Sequence, residues 1–169
     1  LDQMAPGWDE GLREAVVLGA GGAARAIVWA LLSRGVKTVT IVNRTRSKAE
    51  ELCARFGSDS KAADWGEVAD LLGSAGLLVN TTSLGMQGQP PLEIDLSALP
   101  VSALVTDAVY APLQTPLLAA ARARGNPVVD GLGMLLHQAV PSFERWFGMR
   151  PQVTDELRAL LLADLGVAA

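Results

Sequence analysis

The feature that most constrains this chain is a glycine-rich step near its start. Ala15-Val16-Val17-Leu18 is a short apolar run of strand length, it ends in Gly19-Ala20-Gly21-Gly22, and Ala23 to Arg34 follows as a helix-forming stretch closed by Gly35. Strand, glycine turn and helix in that order leave few folds open. In the G-x-G-x-x-A spacing of Gly19, Gly21 and Ala24, the first glycine permits a tight turn and the second lets backbone N–H groups approach an anion. The alanine lets the helix pack closely on the strand. The helix N-terminus beyond Ala23 adds its partial positive charge. The same residues without a ligand are only a glycine-rich turn. Their place at the end of the first strand, with a second strand about 20 residues on, favours a dinucleotide pyrophosphate.

The rest of the chain repeats the alternation. Thr38 to Val42 is β-branched and leads into Arg46 to Phe56, where Ala49, Leu52, Cys53 and Phe56 recur at helical spacing and Gly57 is the expected terminator. Residues 58–73 are weaker, with a short strand near Lys61 to Ala63 and a short helix from Trp65. Leu77 to Asn80 is a clear strand. Residues 81–100 hold Gly85, Gly88, Pro90, Pro91 and Pro100 without periodicity, and loops of that length in compact domains are usually functional. Ala103 to Val109 reads as a strand, Thr115-Pro116 as a cap and first-turn proline, Leu117 to Arg124 as a helix, and Pro127 to Val129 as the last strand. Two helices close the chain. One begins near Met134 and is expected to kink or break at Pro141; the other starts at Thr154 and carries Leu157, Leu160, Leu161 and Leu165 on one face.

Strands alternating with helices imply an α/β architecture with a mostly parallel sheet and extra C-terminal helices, and the glycine turn after the first strand makes it a doubly wound, Rossmann-like, dinucleotide-binding fold. The expected divisions are an N-terminal helix or hinge segment over 1–14, the nucleotide-binding domain over 15–148 and a packing helix over 149–169. A chain of 169 residues, half of them hydrophobic and 19% charged, has material for one well-buried core and excludes disorder. No apolar run is long enough to span a bilayer, so no membrane partner is expected. A net charge of −4 gives no diffuse field for nucleic acid, so any anion has to be held locally. A single cysteine, Cys53, and a single histidine, His137, argue against disulfides and metal clusters and for a reducing, cytoplasmic setting. The first residues read as no signal peptide, and the absence of an initial Met suggests a fragment or a trimmed chain.

The end of the second strand decides between dinucleotides, because it faces the adenosine ribose. A site for NAD places Asp or Glu there to accept from the 2′-hydroxyl. This chain has Asn43-Arg44-Thr45-Arg46-Ser47-Lys48, with no acid until Glu50. Charge-assisted bonds to a phosphate contribute roughly 1.5–3 kcal/mol each, so two of them would favour NADP over NAD by a factor of about a hundred or more. Arg44, Thr45 and Lys48 are therefore assigned to a 2′-phosphate. The alternative is a solvated first-turn face of Arg44, Arg46 and Lys48, which the helix dipole disfavours.

Five segments, in order, resemble the NADP-binding half of the shikimate dehydrogenase family. They are Gly19-Ala-Gly-Gly-Ala-Ala-Arg-Ala26, Asn43-Arg-Thr-x-x-Lys48, Asn80-Thr-Thr-Ser-Leu-Gly-Met86, Asp107-Ala-Val-Tyr110 with Thr115-Pro-Leu-Leu118, and Gly131-Leu-Gly-Met-Leu-Leu-His-Gln138. The resemblance implies NADP-dependent reduction of 3-dehydroshikimate to shikimate, a step of chorismate and aromatic amino-acid biosynthesis. It also implies cofactor contacts at Gly19, Ala20, Gly21, Gly22 and Ala23, phosphate contacts at Asn43, Arg44, Thr45 and Lys48, and nicotinamide-side positions at Thr82, Ser83, Ala108 and Gly131. Tyr110 and Gln138 match substrate contacts, where a phenol and an amide can bond a carboxylate or ring hydroxyls. Read without the resemblance, Tyr110 is a strand-end aromatic capping the core and Gln138 an exposed helix amide. His137 and Cys53 read as structural, and Asp107 as an acceptor of backbone hydrogen bonds.

Alcohol oxidation by a nicotinamide moves a hydride and a proton, and the proton needs a positioned acid or base. In the resembled family that pair is a Lys and an Asp on an N-terminal domain. Lys37, Lys48 and Lys61 are the only lysines, and none fits that motif. No catalytic or metal-binding residue is therefore assigned within the chain, and the missing catalytic domain is an expected partner. Alternatives are a stand-alone NADP sensor or interaction module, or a quinate/shikimate dehydrogenase paralogue. Tyr110 and Gln138 favour the enzyme, since a sensor has no use for substrate contacts. Composition leaves monomer and homodimer open.

Overall fold

The computed structural model describes residues 1–166. Six parallel strands form one sheet: β1 (Glu14–Leu18), β2 (Thr38–Val42), β3 (Ser60–Ala63), β4 (Leu77–Asn80), β5 (Leu104–Asp107) and β6 (Val128–Val129). Their spatial order is β3-β2-β1-β4-β5-β6, the doubly wound arrangement in which the chain reverses direction across the sheet at β1 and β4. Helices α1 (Gly22–Ser33), α2 (Arg46–Cys53), α3 (Val68–Leu72), α4 (Pro116–Ala123), α5 (Leu132–Phe147) and α6 (Asp155–Asp164) complete it.

The period of two in the strands sorts side chains between the two faces. Val16, Leu18, Leu78 and Val105 join a core with α3 and α4 on one face. Ala15, Val17, Leu77 and Val79 join a second core with α1 and α2 on the other. Both faces being covered explains why β1 and β4 read as unbroken apolar runs in the sequence.

Three elements differ from the sequence expectation. Helix α2 ends at Cys53, and Gly57, at φ 78°, opens a separate 3-10 turn instead of terminating the helix. Helix α5 continues through Pro141 as one helix, so the break that was one of the two expected outcomes does not occur. Proline removes one hydrogen bond on the exposed side, while Leu132, Leu136 and Val140 are buried along the other and hold the helix down. Residues 2–11 are hydrogen-bonded turns without a regular helix, held to α1 by Arg34, which pairs with both Asp2 and Asp9.

The long connection after β4 carries no regular element, yet Leu92, Leu96 and Leu99 are buried in the α3–α4 core. The segment is thus anchored at three points. Helix α6 is capped by the Thr154 hydroxyl, which accepts from Leu157 N, and is tied to the domain by an Arg158–Asp130 ion pair at 2.6 Å. Leu161 and Leu165 are half-buried, whereas Leu157 and Leu160 face solvent. No helix among the described residues is long and apolar enough to cross a membrane. Residues 167–169 of the expected C-terminal packing segment lie outside the described residues.

Candidate functional site

Parallel strands gather their carboxyl ends on one edge, where the connecting turns can place side chains around a ligand. At the end of β1, Gly19 has φ 104°, and a Cβ there would lie 2.6 Å from Thr81 Oγ1 and 3.3 Å from the Thr81 backbone carbon. Only glycine fits such a turn. Thr81 closes it from the other side, its hydroxyl donating to Leu18 O at 2.6 Å.

Gly21 and Gly22 differ from Gly19. Both have negative φ and nothing within 4 Å of the position a Cβ would take. The fold itself does not need glycine at either place. Gly21 is the N-cap of α1, has no side chain to cap it, and the first turn holds no acidic residue. The N–H groups of that turn thus face an open approach, and the turn Gly19-Ala20-Gly21-Gly22-Ala23 can admit an anion against backbone.

Beside it, β2 ends at Val42, and Asn43 Nδ2 donates to Thr45 O at 2.8 Å to shape the following turn. Arg44, Thr45 and Lys48 are exposed, and Arg44 and Lys48 form no ion pair among the described residues. Arg46 is different. It binds Glu50, Asp64 and Glu67 at 2.9, 2.9 and 3.3 Å, and these carboxylates hold its guanidinium even further above its ordinary pKa. The turn therefore presents two uncommitted cations and one that is engaged. The partners Asp64 and Glu67 lie in the turn that follows β3, so nothing local to residues 43–48 distinguishes Arg46 from Arg44.

At the ends of β4 and β5 the polar groups satisfy one another. Asn80, fully buried, donates to Asp107 Oδ1 at 2.9 Å and to Leu84 O at 3.2 Å, and its Oδ1 accepts from the Thr82 N–H and hydroxyl. Asp107 also accepts from Val109 N at 3.0 Å and from the Thr115 hydroxyl at 2.7 Å. Burial pushes the Asp107 carboxyl above its ordinary range, against these three donors, which favour the charged form. Asp107 thus accepts a backbone hydrogen bond and two side-chain ones. Asn80 is the hub that sequence reasoning missed; an Asn closing a buried apolar strand was the available signal.

This network joins several expected site positions. Thr82 hangs from Asn80, and Ala108 N donates to Asn80 O at 2.8 Å. Gly131 sits against Ala108, where a Cβ would come within 2.5 Å of Val109 O and 2.6 Å of Ala108 O. Ser83 is exposed beside Thr82. Tyr110 is exposed past the end of β5.

A groove of about 750 Å³ runs between the N-terminal turns, α1 and α5, lined by Trp8, Ile27, Val79, Ala108, His137 and Gln138 among others. None of Gly19, Gly21, Arg44, Lys48, Thr82 or Tyr110 lines it. This groove therefore does not join Gln138 to the turns that follow β1 and β2. His137 is exposed, its Nε2 3.2 Å from Gln3 Oε1, and Cys53 is half-buried with its thiol pushed up by burial.

Two family models match the chain: "Shikimate / quinate 5-dehydrogenase" over residues 9–86 and "Shikimate 5'-dehydrogenase C-terminal domain" over residues 131–161. Similar curated proteins include the shikimate dehydrogenase (NADP(+)) of Nitrobacter hamburgensis, 59% identical over 99% of this chain, and that of Methylocella silvestris, 61% identical over 98%. The chain spans 58% and 59% of those two proteins' lengths. Among solved structures it resembles quinate dehydrogenase from Corynebacterium glutamicum in complex with NAD, with TM-score 0.82 and 32% identity over 93% of this chain and 60% of that one. It also resembles shikimate 5-dehydrogenase from Thermus thermophilus in complex with NADP(H) and shikimate, with TM-score 0.70 and 36% identity over 82% of this chain and 50% of that one. On the matched models, the identity to these relatives and the sheet order, the chain belongs to the shikimate dehydrogenase family.

Proposed function

We propose that this chain is the NADP-binding part of a shikimate dehydrogenase, which interconverts 3-dehydroshikimate and shikimate on the route to chorismate and the aromatic amino acids. The observation that carries the reading is a pair of features on neighbouring strands. Open space over Gly21 and Gly22 meets an uncapped α1 N-terminus, and the adjacent turn offers Arg44 and Lys48 without ion-pair partners among the described residues. The first feature suits a pyrophosphate and the second a 2′-phosphate. The names of the curated relatives and the NADP(H)-bound neighbour support the same cofactor.

In this reading the backbone from Gly19 to Ala23 receives the pyrophosphate, and Asn43, Arg44, Thr45 and Lys48 receive the 2′-phosphate. Thr82, Ser83, Ala108 and Gly131 lie toward the nicotinamide, and Tyr110 and Gln138 toward the substrate. The bound cofactor supplies the hydride donor or acceptor. The buried Asn80–Asp107–Thr115 network keeps the turns after β4 and β5 in register, so that Thr82 and Ala108 present fixed polar groups. Shikimate oxidation also releases a proton, and Lys37 and Lys61 are both exposed away from these turns, before β2 and within β3. We assign proton transfer to a Lys–Asp pair on a separate catalytic domain that covers the α1–α5 groove and brings substrate to Gln138. A cytoplasmic setting belongs to the same proposal.

Calorimetric titration with NADP+ and NAD+ tests the cofactor assignment. NADP+ is expected to bind roughly a hundredfold more tightly, and Arg44→Ala to remove most of that gap. Equal affinities for the unaltered chain would refute it. The chain alone is expected to show no shikimate oxidation; measurable steady-state turnover would overturn the assignment of proton transfer to another domain.

A further inference from the structure

The three carboxylates around Arg46 are more than that residue needs for a surface ion pair. Glu50 lies one helical turn along α2, whereas Asp64 and Glu67 belong to the turn that follows β3. Asp64 is held close to the phosphate-side turn by the sheet itself. Val42 is in register with Ala63, and Asn43 N donates to Ala63 O at 3.4 Å, so Asp64 follows directly beside Asn43 and Arg44. Glu67 is fixed to Asp64 in turn, its carboxylate accepting from Asp64 N at 2.6 Å. Two acids from the turn after β3 thus stand at the margin of a turn whose unpaired cations, among the described residues, are Arg44 and Lys48.

We propose that Arg46 is a positioning residue for cofactor specificity: it straps the Asn43–Lys48 turn to the end of β3 and occupies carboxylates that would otherwise compete with a 2′-phosphate for Arg44 and Lys48. The inference rests on the NADP reading above and adds to it a residue that does not touch the cofactor. A guanidinium suits the task because its rigid fork offers separate N–H donors to separate carboxylates, and here Nε takes Glu50 while Nη1 takes Asp64 and Glu67. A lysine ammonium keeps the charge without the fork. These pairs are exposed, so they contribute little to stability. Their effect is on local potential and on the shape of the turn, and it weakens with salt.

The test is titration of NADP+ and NAD+ into the unaltered chain, Arg46→Ala, Arg46→Lys, and Arg46→Ala combined with Asp64→Asn and Glu67→Gln. Each titration is run at ionic strengths of about 10 mM and about 150 mM. Arg46→Ala is expected to weaken NADP+ roughly fivefold and NAD+ less than about twofold, with the loss shrinking at the higher salt. The combined variant is expected to recover most of the loss, and Arg46→Lys to fall between. Unchanged NADP+ binding in Arg46→Ala, equal weakening of both cofactors, or no recovery in the combined variant would each overturn the proposal. The two readings separate in the first titration. An unaltered chain without NADP+ preference removes the cofactor assignment and this inference with it, whereas a preference that survives Arg46→Ala removes this inference alone.

Discussion

The carboxyl edge of the sheet holds two polar regions built on opposite terms. At β4 and β5, Asn80, Asp107 and Thr115 are buried and use one another as partners. At β1 and β2, the α1 N-terminus is uncapped, two glycines have empty space above them, and Arg44 and Lys48 stand without ion pairs among the described residues. The same contrast separates the glycines. Gly131 and Gly19 are required by protein atoms crowding the missing Cβ, while Gly21 and Gly22 are required by none. A group satisfied within the fold reports on stability; a group left open, on a strand edge made for ligands, reports on what binds.

That difference can be broken by substitution. The largest effect is expected from Asp107→Ala, which removes the interior acceptor of the Val109 N–H, the Thr115 hydroxyl and one of the two Asn80 Nδ2 hydrogens and should cost about 3 kcal/mol in denaturant unfolding. A loss under about 1 kcal/mol would mean the network is not the support described. Gly131→Ala comes next, at roughly 2 kcal/mol, because its Cβ meets the carbonyls of Ala108 and Val109, which are backbone and cannot rotate aside.

Gly22→Ala should behave in the opposite way. Its folded stability should hold or rise by a few tenths of a kcal/mol, since alanine suits a helix start in open space, while NADP+ affinity falls roughly tenfold or more. A melting temperature lowered as much as in Gly131→Ala would erase the contrast. The smallest change in stability belongs to the C-terminal helices, where Trp146 is 77% and Leu160 68% exposed. Trp146→Ser is expected to shift unfolding by less than about 0.5 kcal/mol yet to reduce binding of a hydrophobic dye. Unchanged dye binding would show that this face is not the exposed apolar patch it resembles.

Much of this was legible in the residues. The apolar runs at 15–18, 38–42 and 77–80 give strands, Gly19 to Ala24 gives the turn and helix start, and Thr115-Pro116 gives a capped helix, because each depends on neighbours along the chain. Arg44 and Lys48 stood out through the absence of an acid where one binds a ribose. The continuity of α5 across Pro141 was not legible, since it depends on what Leu136 and Val140 bury against. Neither were the buried leucines at 92, 96 and 99, which turn an aperiodic loop into part of the core.

By itself, the sequence determined the alternation of strand and helix, the glycine turn at its head and the cations at the end of the second strand. Only the tertiary structure decided which of those groups are free. Arg46 and Arg44 are two residues apart and chemically alike, but Arg46 is taken up by acids that pairing of β2 with β3 brings alongside it. Gly21 and Gly19 are equally close, yet only Gly19 faces Thr81, 62 positions further along the sequence. Contacts made across the sheet join residues with no local relation, so which groups are used up inside the protein, and which remain for a ligand, is settled by packing.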